Sequence, residues 1–259
     1  MTPAVDRAQL PVSGVVIANN EGDRIGRCVA SLAAICSEVI VLDSGSDDDT
    51  AAVARAAGAR VEQQPWLGFA AQKNAAIARA VQPWVLLLDA DEWLDPAALP
   101  TLRAAFASGD VERADVWRLS RRTRFLGTPL NHGGWGTEGV ERLFRNELRY
   151  LPAAVHERLD LRGHRVARLR ARIEHDTARS LTEYRTKLAR YAALWARQKY
   201  AEGRRAGALA APLHATSYWL KNYLLRGGFL DGAAARTFHA VHACYVFDKY
   251  RALRRLGRQ

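Results

Sequence analysis

Cysteine is scarce in this sequence, and long apolar runs are absent from it. The 259 residues include three cysteines, Cys28, Cys36 and Cys244, and none of them forms a C-x-x-C pair. An odd number without that spacing argues against a disulfide framework or a zinc site, so we expect core thiols. No stretch reaches the roughly 18 apolar residues that a membrane span needs, and the N-terminal residues lack the basic start and apolar core of a secretory signal. The sequence therefore predicts a cytoplasmic protein.

Acidic charge is also in short supply, since 38 Lys and Arg residues against 27 Asp and Glu residues leave a net charge of +11. A hydrophobic content of 49% with 25% charged residues is typical of a globular protein and argues against disorder. Most of the basic excess follows Gly203, where ten basic residues stand against Asp231 and Asp248. Such a segment suits an anionic partner, either nucleic acid or an acidic membrane surface, and it also fits a solvated basic face.

The first part of the chain alternates between strand and helix patterns. Segments 12–18, 38–43 and 84–93, the last with its apolar run at 84–88, predict strands, and amphipathic stretches between them predict helices. This alternation predicts a parallel sheet with right-handed crossovers, in which ligands bind at the carboxyl ends of the strands. The polar residues that follow these strands are Asn19-Asn20-Glu21, Asp43-Ser44-Gly45-Ser46 and Asp89-Ala90-Asp91-Glu92.

The pattern changes near residue 110 and again near residue 179. Short alternating stretches separated by Gly-Gly and Pro breaks predict a β-rich region. Helical periodicity then predicts amphipathic helices up to the C-terminus. We therefore expect an α/β half at 1–110, a β-rich half of the same domain at 111–178 and a basic helical tail at 179–259.

Two carboxylates, Asp89 and Asp91, follow the buried run at 84–88. Mg²⁺ and Mn²⁺ prefer oxygen ligands and commonly bridge protein carboxylates to a substrate diphosphate. Because residues two apart on an extended strand point the same way, we expect both carboxylates to face one space. Asp43 lies at the same edge, with capping of the next helix as its alternative role. The arrangement predicts a divalent metal site beside a phosphate-containing ligand.

Four stretches of the chain resemble, in the same order along the sequence, the motifs of glycosyltransferase family 2. This family has the GT-A fold, a Rossmann-like sheet that binds nucleotide sugars. These stretches are VVIANNEGDRIGRCVASL, EVIVLDSGSDDDTAAVA, QPWLGFAAQKNAAIARA and WVLLLDADEWL. Further stretches resemble a narrower group, the bacterial branch that contains the lipopolysaccharide core β-1,4-glucosyltransferases. These stretches are FLGTPLNHGGW, ERLFRN, VHERL, EHDTARSLTEYRTKLARYA and GGFLDG. The resemblance implies an α/β GT-A sheet with a small β-rich acceptor region and a C-terminal helical tail.

The resemblance also implies roles for individual residues. Lys73 would face the diphosphate of the donor with support from Asn74, and Asp43 would contact the base or ribose. The implied donor contacts are Ala18, Glu21, Asp43, Lys73, Asn74 and Asp89. The implied ligands of a Mg²⁺ or Mn²⁺ ion are Asp91, Asp89 and His175, although His175 has an alternative role as a structural cap before the next helix. Ala18-Asn19 stands where many relatives have Pro-Thr-Tyr, which narrows the subfamily.

The catalytic base has more than one candidate. Family 2 enzymes invert the anomeric centre, so a carboxylate must accept the proton of the attacking acceptor hydroxyl. Relatives carry a carboxylate shortly before RLFR, where this chain has Glu138, the better match, and Glu141, which alternatively belongs to a surface ion pair. Glu157, in the pair His156-Glu157, competes for the role, with locking of a loop as its alternative.

The resemblance thus implies an inverting, metal-dependent transferase that moves a hexose to a glycolipid or saccharide acceptor such as lipopolysaccharide core, with UDP-glucose as donor. A basic nucleic-acid-binding protein is an alternative that explains the tail. It leaves the acidic strand ends unexplained, because a carboxylate rim repels phosphates unless a metal is present. A nucleotidyltransferase is another alternative, but that class usually has a basic glycine-rich loop after the first strand, where ANNEGDRIG is acidic. We therefore expect no nucleic-acid partner.

The tail from roughly Leu209 to Leu256 interleaves apolar side chains with Lys and Arg. Amphipathic helices of this composition bind at the headgroup boundary of anionic membranes. We expect a peripheral protein on the inner face of the cytoplasmic membrane, with packing on the catalytic domain or on a second copy of the chain as the alternative. The apolar residues concerned are Tyr218, Trp219, Leu220, Tyr223, Leu224, Leu225, Phe229, Leu230, Phe238, Tyr245, Val246 and Phe247.

Overall fold

The structure is a computed structural model that describes residues 9–136, 138–152 and 157–258. The strands are β1 (Leu10–Ala18), β2 (Cys36–Asp43), β3 (Arg60–Gln63), β4 (Trp84–Asp89), β5 (Glu92–Leu94), β6 (Val116–Phe125), β7 (Thr128–Pro129), β8 (Glu138–Arg145) and β9 (Val166–Asp176). The α-helices are α1 (Gly22–Ala33), α2 (Thr50–Ala56), α3 (Phe69–Ile77), α4 (Ala98–Ala107), α5 (Leu181–Ala201), α6 (Ala210–Trp219) and α7 (Gly232–Leu256). Short 3₁₀ segments cover Asp110–Arg113 and Gly228–Asp231, and a π-helical segment covers Leu220–Leu225.

The strands form a mixed sheet with β1 in the middle of its parallel part. β1 pairs in parallel with β2 and β4, and β2 pairs in parallel with β3. β4 pairs antiparallel with β8, and the order along the sheet is β3-β2-β1-β4-β8-β6-β9-β5, with β7 paired to β6. Ala18 is in register with Asp43, and Ile17 is in register with Asp89. The carboxyl ends of three parallel strands therefore meet at one edge, as the sequence predicts.

Apolar side chains cover both faces of the parallel part. One core contains Val16 of β1 together with Ile25 and Leu32 of α1. The core on the other face contains Val15 of β1 and Ile77 of α3. Strands that are buried on both faces read as near-continuous apolar runs, which explains why the sequence pattern identified β1, β2 and β4.

Contacts divide the chain into two compact units, each made of two segments. The first unit contains the described residues up to Arg121 and those within Gly139–His175, and it includes both cores of the parallel sheet. The second unit contains the described residues within Arg122–Glu138 and those from Asp176 onward. The division at residues 110 and 178 that the sequence suggests stays a prediction about domain organisation.

Helices α5, α6 and α7 build the second unit around an aromatic core. Phe238 of α7 is fully buried, and its ring centroid lies 5.2 Å from that of Phe125 and 6.0 Å from that of Tyr184. Ser180 caps α5, because its side chain accepts a hydrogen bond of 3.1 Å from the backbone N–H of Glu183. Each helix of the described ranges is too short or too polar to cross a membrane.

A second feature of this unit is a strap, the Asp231 strap, that joins a loop to the start of α7. The backbone N–H groups of Asn131 and His132 both donate to Oδ2 of Asp231 at 2.8 Å. The imidazole Nδ1 of His132 lies 2.6 Å from Oδ1 of the same carboxylate. Asp231 directly precedes α7, so the strap fixes the 131–132 loop at the beginning of that helix.

Two expectations about individual side chains are wrong. Cys28 and Cys36 are buried free thiols, but Cys244 is exposed and is not a core residue. Phe238, which the tail pattern assigned to the membrane-facing set, instead fills the core of the second unit. Its aromatic neighbours on α5 and β6 come from distant parts of the chain, so the pattern of the tail alone does not reveal them.

Candidate active site

The loops that follow β1 and β2 are bound to each other. The backbone N–H of Asn20 donates to Oγ of Ser46 at 2.9 Å, and Oδ1 of Asn20 accepts from the backbone N–H of Asp47 at 3.0 Å. The backbone N–H of Glu21 donates to Oγ1 of Thr50 at 2.8 Å. Asn20 has a φ of 56°, a left-handed conformation that asparagine tolerates better than most residues. The two loops therefore form one joined rim.

Asp43 ends β2, as expected, but its carboxylate is fully buried. Its two oxygens accept from the backbone N–H of Ser46 at 3.3 and 3.1 Å, and the Ser46 hydroxyl donates to Oδ1 at 2.5 Å. Helix α2 begins only at Thr50, so Asp43 shapes the loop and does not cap the helix. Ala18 lies beside it, and its carbonyl oxygen accepts from the backbone N–H of Ser44 at 2.9 Å. The contact of Asp43 with a donor stays a prediction.

Lys73 and Asp89 form the centre of a charge network. The ammonium of Lys73, which is buried on α3, lies 3.1 Å from Oδ1 of Asp89 and 2.7 Å from Oε1 of Glu157. Arg142 of β8 donates to Oδ2 of Asp89 at 2.6 Å and to Oε1 of Glu92 at 2.7 Å. Cations from α3 and β8 thus hold both oxygens of the carboxylate at the end of β4.

Burial and charge act in opposite directions on this network. For Asp89, burial raises the pKa, but Arg142 and Lys73 together outweigh burial and hold the pKa well below its usual range. For Lys73, burial lowers the pKa, yet the neighbouring carboxylates, Asp89 first, bring the pKa above its usual value. The pKa of Arg142 is raised in the same way, against burial, by Asp89 and Glu92. The three groups are therefore charged at neutral pH.

Asp91 does not continue the strand. β4 ends at Asp89, Ala90 and Asp91 form a turn, and β5 begins at Glu92. The premise of one extended strand through Asp89 and Asp91 is therefore wrong, and the expectation that both carboxylates face one space stays a prediction. Oδ2 of Asp91 lies 3.4 Å from Nε2 of His175 and 4.0 Å from Nη1 of Arg24.

His175 reaches this turn because β9 pairs with β5, which brings His175 into register with Glu92. It lies within β9, and the residue that caps α5 is Ser180, so the alternative role of His175 as a helix cap is wrong. Nδ1 of His175 is buried and has no hydrogen-bond partner within the described part of the chain. Burial raises the pKa of Asp91, but His175 and other neighbours outweigh burial and lower it.

Glu92 and Arg142 hold the acidic turn in place, and the sequence analysis did not identify either role. Glu92 is fully buried; Oε2 accepts from the backbone N–H of Asp89 at 3.2 Å, and Oε1 accepts from Arg121 at 3.2 Å as well as from Arg142. A buried carboxylate requires such charge-assisted partners. The sequence of β8 contains no signal for this role, because a charged residue next to the apolar pair Leu143-Phe144 of a strand can equally face solvent.

The neighbours of Lys73 on α3 fix the surrounding backbone. Nδ2 of Asn74 donates to the carbonyl oxygen of Tyr150 at 2.9 Å, and the backbone N–H of Tyr150 donates to Oδ1 of Asn74 at 2.8 Å. The ring of Tyr150 lies 5.4 Å from Nζ of Lys73, so Asn74 supports Lys73 through that ring. Gln72 is fully buried and donates to Oγ of Ser44 at 3.1 Å and to the carbonyl oxygen of Gln64 at 3.2 Å.

The three carboxylates considered for the base have different surroundings. Glu157 belongs to the network through Lys73, whereas its neighbour His156 lies outside the described residues. Glu138 is the exposed first residue of β8 and belongs to the second unit. Glu141 forms a partly exposed ion pair with Arg118 at 2.7 Å, as its alternative role implies. The choice between Glu138 and Glu157 stays a prediction.

The residues expected to bind a metal fit a site that the substrate completes. The described residues contain no group of three or more His, Cys, Asp and Glu side chains arranged for a metal ion. Asp91 and His175 are adjacent, whereas both oxygens of Asp89 are held by Lys73 and Arg142. Mg²⁺ commonly takes one or two carboxylates and completes its coordination with substrate phosphates and water. Asp91 would supply one such carboxylate with His175 beside it, and Asp89 would add oxygens that Lys73 and Arg142 also contact.

Comparison with known proteins gives a family match and several relatives. The family model described as Glycosyl transferase family 2 matches residues 13–160. Lipopolysaccharide core biosynthesis glycosyltransferase LpsC of Rhizobium meliloti (strain 1021) is 29% identical over 93% of this chain and 94% of its own length. An uncharacterized glycosyltransferase of Rickettsia conorii is 42% identical, but the match covers 42% of this chain and 38% of that protein. The chain thus spans nearly all of LpsC and well under half of the Rickettsia relative.

Solved structures give weaker likenesses. Glucosyl-3-phosphoglycerate synthase from Mycobacterium tuberculosis, in complex with Mn2+, UDP and glucosyl-3-phosphoglycerate, is 28% identical with a TM-score of 0.35 over 44% of each chain. S. aureus TarS 1–349 in complex with UDP-GlcNAc is 13% identical with a TM-score of 0.48 over 96% of this chain and 92% of that chain.

The range that the family model matches, residues 13–160, includes the expected donor contacts and both base candidates, Glu138 and Glu157. It leaves His175 outside.

Proposed function

We propose, from the premise that the chain belongs to glycosyl transferase family 2, that it transfers glucose from UDP-glucose to a membrane-anchored saccharide of the lipopolysaccharide core. The chain is a glycosyltransferase with a GT-A sheet, as the sequence predicts, and this replaces the nucleotidyltransferase alternative, while the absence of a nucleic-acid partner stays a prediction. Similarity to LpsC along almost the whole chain supports the acceptor class. The resemblance of the sequence to core β-1,4-glucosyltransferases supports the sugar.

One observation carries the proposal: two buried cations and an Asp–His pair lie where the parallel strands end. A diphosphate needs positive charge at this otherwise acidic edge, and Lys73 supplies a fixed charge for it. Asp91 and His175 would hold a Mg²⁺ or Mn²⁺ ion, which when bound neutralises charge on the diphosphate and so assists its departure. The joined rim at Ala18, Glu21 and Asp43 lies on the side proposed for the nucleoside.

Transfer with inversion requires one proton acceptor and no covalent intermediate. The acceptor hydroxyl oxygen attacks the anomeric carbon while the bond to the nucleoside diphosphate breaks on the opposite face, and the hydroxyl proton passes to a carboxylate. We assign that role to Glu138, which is exposed on β8. Glu157 contacts Lys73 at 2.7 Å through Oε1, so we assign it to the support of that ammonium.

The test is transfer from a panel of nucleotide sugars by the wild type and by an Asp91→Asn variant. We expect Mg²⁺- or Mn²⁺-dependent use of UDP-glucose by the wild type. Asp91→Asn should abolish transfer and leave the circular dichroism spectrum intact, because a neutral amide of similar shape replaces a charged ligand. Asp110→Asn, at an exposed carboxylate, is the matched control.

Two outcomes would contradict the proposal in different ways. Near-normal turnover of Asp91→Asn with metal present would remove Asp91 from the site. A wild type that uses no nucleotide sugar of the panel would reject the activity itself.

We also propose that the second unit holds the enzyme at the inner face of the cytoplasmic membrane, where a glycolipid acceptor would be met in two dimensions. Exposed apolar side chains on and after the π-helical segment support this: Leu220, Leu224, Leu225, Phe229 and Leu230. Lys221 and Arg226 are exposed within the same stretch and suit anionic headgroups. Buried Phe238 no longer belongs to that surface.

A further inference from the structure

The loop between β3 and α3 exposes two aromatic rings that none of the roles above uses. Trp66 is 49% exposed and Phe69 is 39% exposed. Their ring centroids lie 4.8 Å apart with the ring planes almost perpendicular, an arrangement that aromatic pairs favour. The edge of one ring therefore supports the other, and part of each ring is exposed to solvent.

Buried polar contacts hold this loop in one conformation. Gln72, one turn into α3, is fully buried. Its Oε1 accepts from the backbone N–H of Leu67 at 3.3 Å, and its Nε2 donates to the carbonyl oxygen of Gln64 at 3.2 Å. The side chain thus binds the loop on both sides of Trp66. A ring presented in this way is preorganised for a ligand, which lowers the entropy cost of binding.

The same contacts connect the aromatic pair to the rim on the proposed nucleoside side. The backbone N–H of Gln64 donates to the carbonyl oxygen of Asp43 at 2.9 Å. Gln72 also donates to Oγ of Ser44 at 3.1 Å. Phe69 and Lys73 are four residues apart on α3, so they lie on the same face about one helical turn apart. Phe69, which supports Trp66, and the ammonium assigned to the diphosphate therefore belong to neighbouring turns of one helix.

Other aromatic residues near these strand ends are engaged elsewhere. The segments 18–22 and 43–50 contain no aromatic residue. The guanidinium of Arg27 lies 3.4 Å from the centroid of the Trp93 ring and covers its face. Tyr150 is buried next to Lys73. Trp66 and Phe69 are therefore the exposed aromatic residues at this edge of the described chain.

We propose that Trp66, supported by Phe69, is the platform on which the nucleobase of the sugar donor stacks. This inference rests on the proposed function, because it names a residue for the donor of that reaction. Every nucleobase has a π face, so stacking on Trp66 supplies affinity without selecting the base. Selection among bases is left to polar groups of the Asp43–Ser46 rim, whose Ser44 is held by Gln72.

The test separates the base from the diphosphate by measuring binding of two probes, UDP and inorganic pyrophosphate, by calorimetry with Mg²⁺ present. Trp66→Ala should weaken binding of UDP about tenfold or more and leave binding of pyrophosphate unchanged, since base–aromatic stacking accounts for such a factor. Trp66→Phe, which keeps a ring, should recover most of the affinity for UDP. Leu67→Ala is the matched control, because Leu67 lies in the same loop and is 51% exposed.

Each other outcome overturns the inference in a recognisable way. Equal weakening of UDP and pyrophosphate would give Trp66 a role in holding the loop only. Unchanged binding of UDP with a raised KM for the acceptor, or with reduced binding to lipid vesicles, would assign the rings to the acceptor or the membrane. The proposed function fails if the wild type binds none of UDP, ADP and GDP. The inference about Trp66 fails by itself if the wild type and Trp66→Ala bind UDP equally.

Discussion

Glu157 is the residue whose candidate role the structure affects most. Its carboxylate lies 2.7 Å from the buried ammonium of Lys73, which also contacts Asp89. A partner of Lys73 influences how strongly Lys73 attracts a diphosphate, and a catalytic base influences the chemical step. The two roles therefore act on different kinetic constants.

We expect Glu138→Gln to lower kcat by about 10²-fold or more, the usual scale for loss of a general base, with little change in the KM for the donor. Glu157→Gln should mainly change the KM for the donor, because it removes the negative charge that lies beside the ammonium of Lys73. Glu141→Gln is the control and should be nearly silent, since a partly exposed ion pair contributes only about 0–1 kcal/mol. Steady-state kinetics of the three variants measures this. A fall in kcat confined to Glu157→Gln would transfer the role of base to that residue.

Residue types at the strand ends were predictable, but their partners were not. The alternation of strands and helices placed Asp43 and Asp89 at one edge, because parallel strands share the direction of their carboxyl ends. The turn at Ala90–Asp91 could not be predicted, because the segment contains neither Gly nor Pro, the residues that signal a turn most strongly. Arg142 is 53 residues from its partner Asp89, a separation that periodicity within a segment does not encode.

At the scale of elements, Asp89 joins three of them. It ends β4, and its carboxylate binds Lys73 of α3 and Arg142 of β8. Glu92 at the start of β5 receives the backbone N–H of Asp89 and the same guanidinium. The network therefore fixes one helix and three strands at the acidic turn.

We expect the contribution of this network to stability to depend on pH. The pKa of Asp89 in the folded protein lies below its unfolded value of about 3.9, so ionised Asp89 stabilises the fold above that pH, and the contribution is lost as the pH falls toward the folded-state pKa. The free energy of unfolding of the wild type should exceed that of Asp89→Asn most near neutral pH, and the difference should shrink below about pH 4. Urea unfolding at a series of pH values measures the difference. A gap that is constant with pH, as expected for the neutral control Thr182→Ala, would contradict the role of the charge.

The parallel part of the sheet was readable from the sequence, and the antiparallel part was not. Buried strands with helices between them produce apolar runs at regular intervals, and their order is limited by right-handed crossovers. Strands β6, β8 and β9 have alternating patterns that predict strands but no register. The family resemblance named His175 as a candidate, while its position opposite Glu92 emerged only from the pairing of β9 with β5.

For the whole molecule, the location of charge and of exposed apolar groups matters most. The net charge is +11, and the second unit carries the basic residues that follow Gly203. Leu225 is 85% exposed and lies between Lys221 and Arg226 in the sequence. Basic residues beside exposed apolar side chains are a combination that favours anionic membrane surfaces.

We expect the protein to bind vesicles that contain anionic lipid, and binding should weaken as salt concentration rises. The triple variant with Arg251, Arg254 and Arg255 changed to Gln should bind less tightly, because each basic residue near an anionic surface contributes about 1 kcal/mol. Leu224→Ser with Leu225→Ser should also reduce binding. Val81→Ser, at an exposed apolar residue of the first unit, is the matched control and should bind normally. Co-sedimentation with vesicles measures all four proteins.

Equal binding to neutral vesicles, or no binding at low salt, would count against the membrane surface. Unchanged vesicle binding by the triple Arg variant would remove the end of α7 from it. A salt-independent dimer lost in the Leu224/Leu225 variant would identify a contact between two copies of the chain.

The Asp231 strap has a consequence for the order in which the chain is made. Asp231 follows the loop residues that it holds by 99 and 100 positions. A ribosome that adds about 5–20 residues per second needs roughly 5–20 seconds to cover that distance. During that interval the segment around Asn131 has left the site of synthesis without the carboxylate that will bind it. The parallel strands of the first unit can pair early, whereas this contact of the second unit forms only after Asp231, at the start of α7, has been translated.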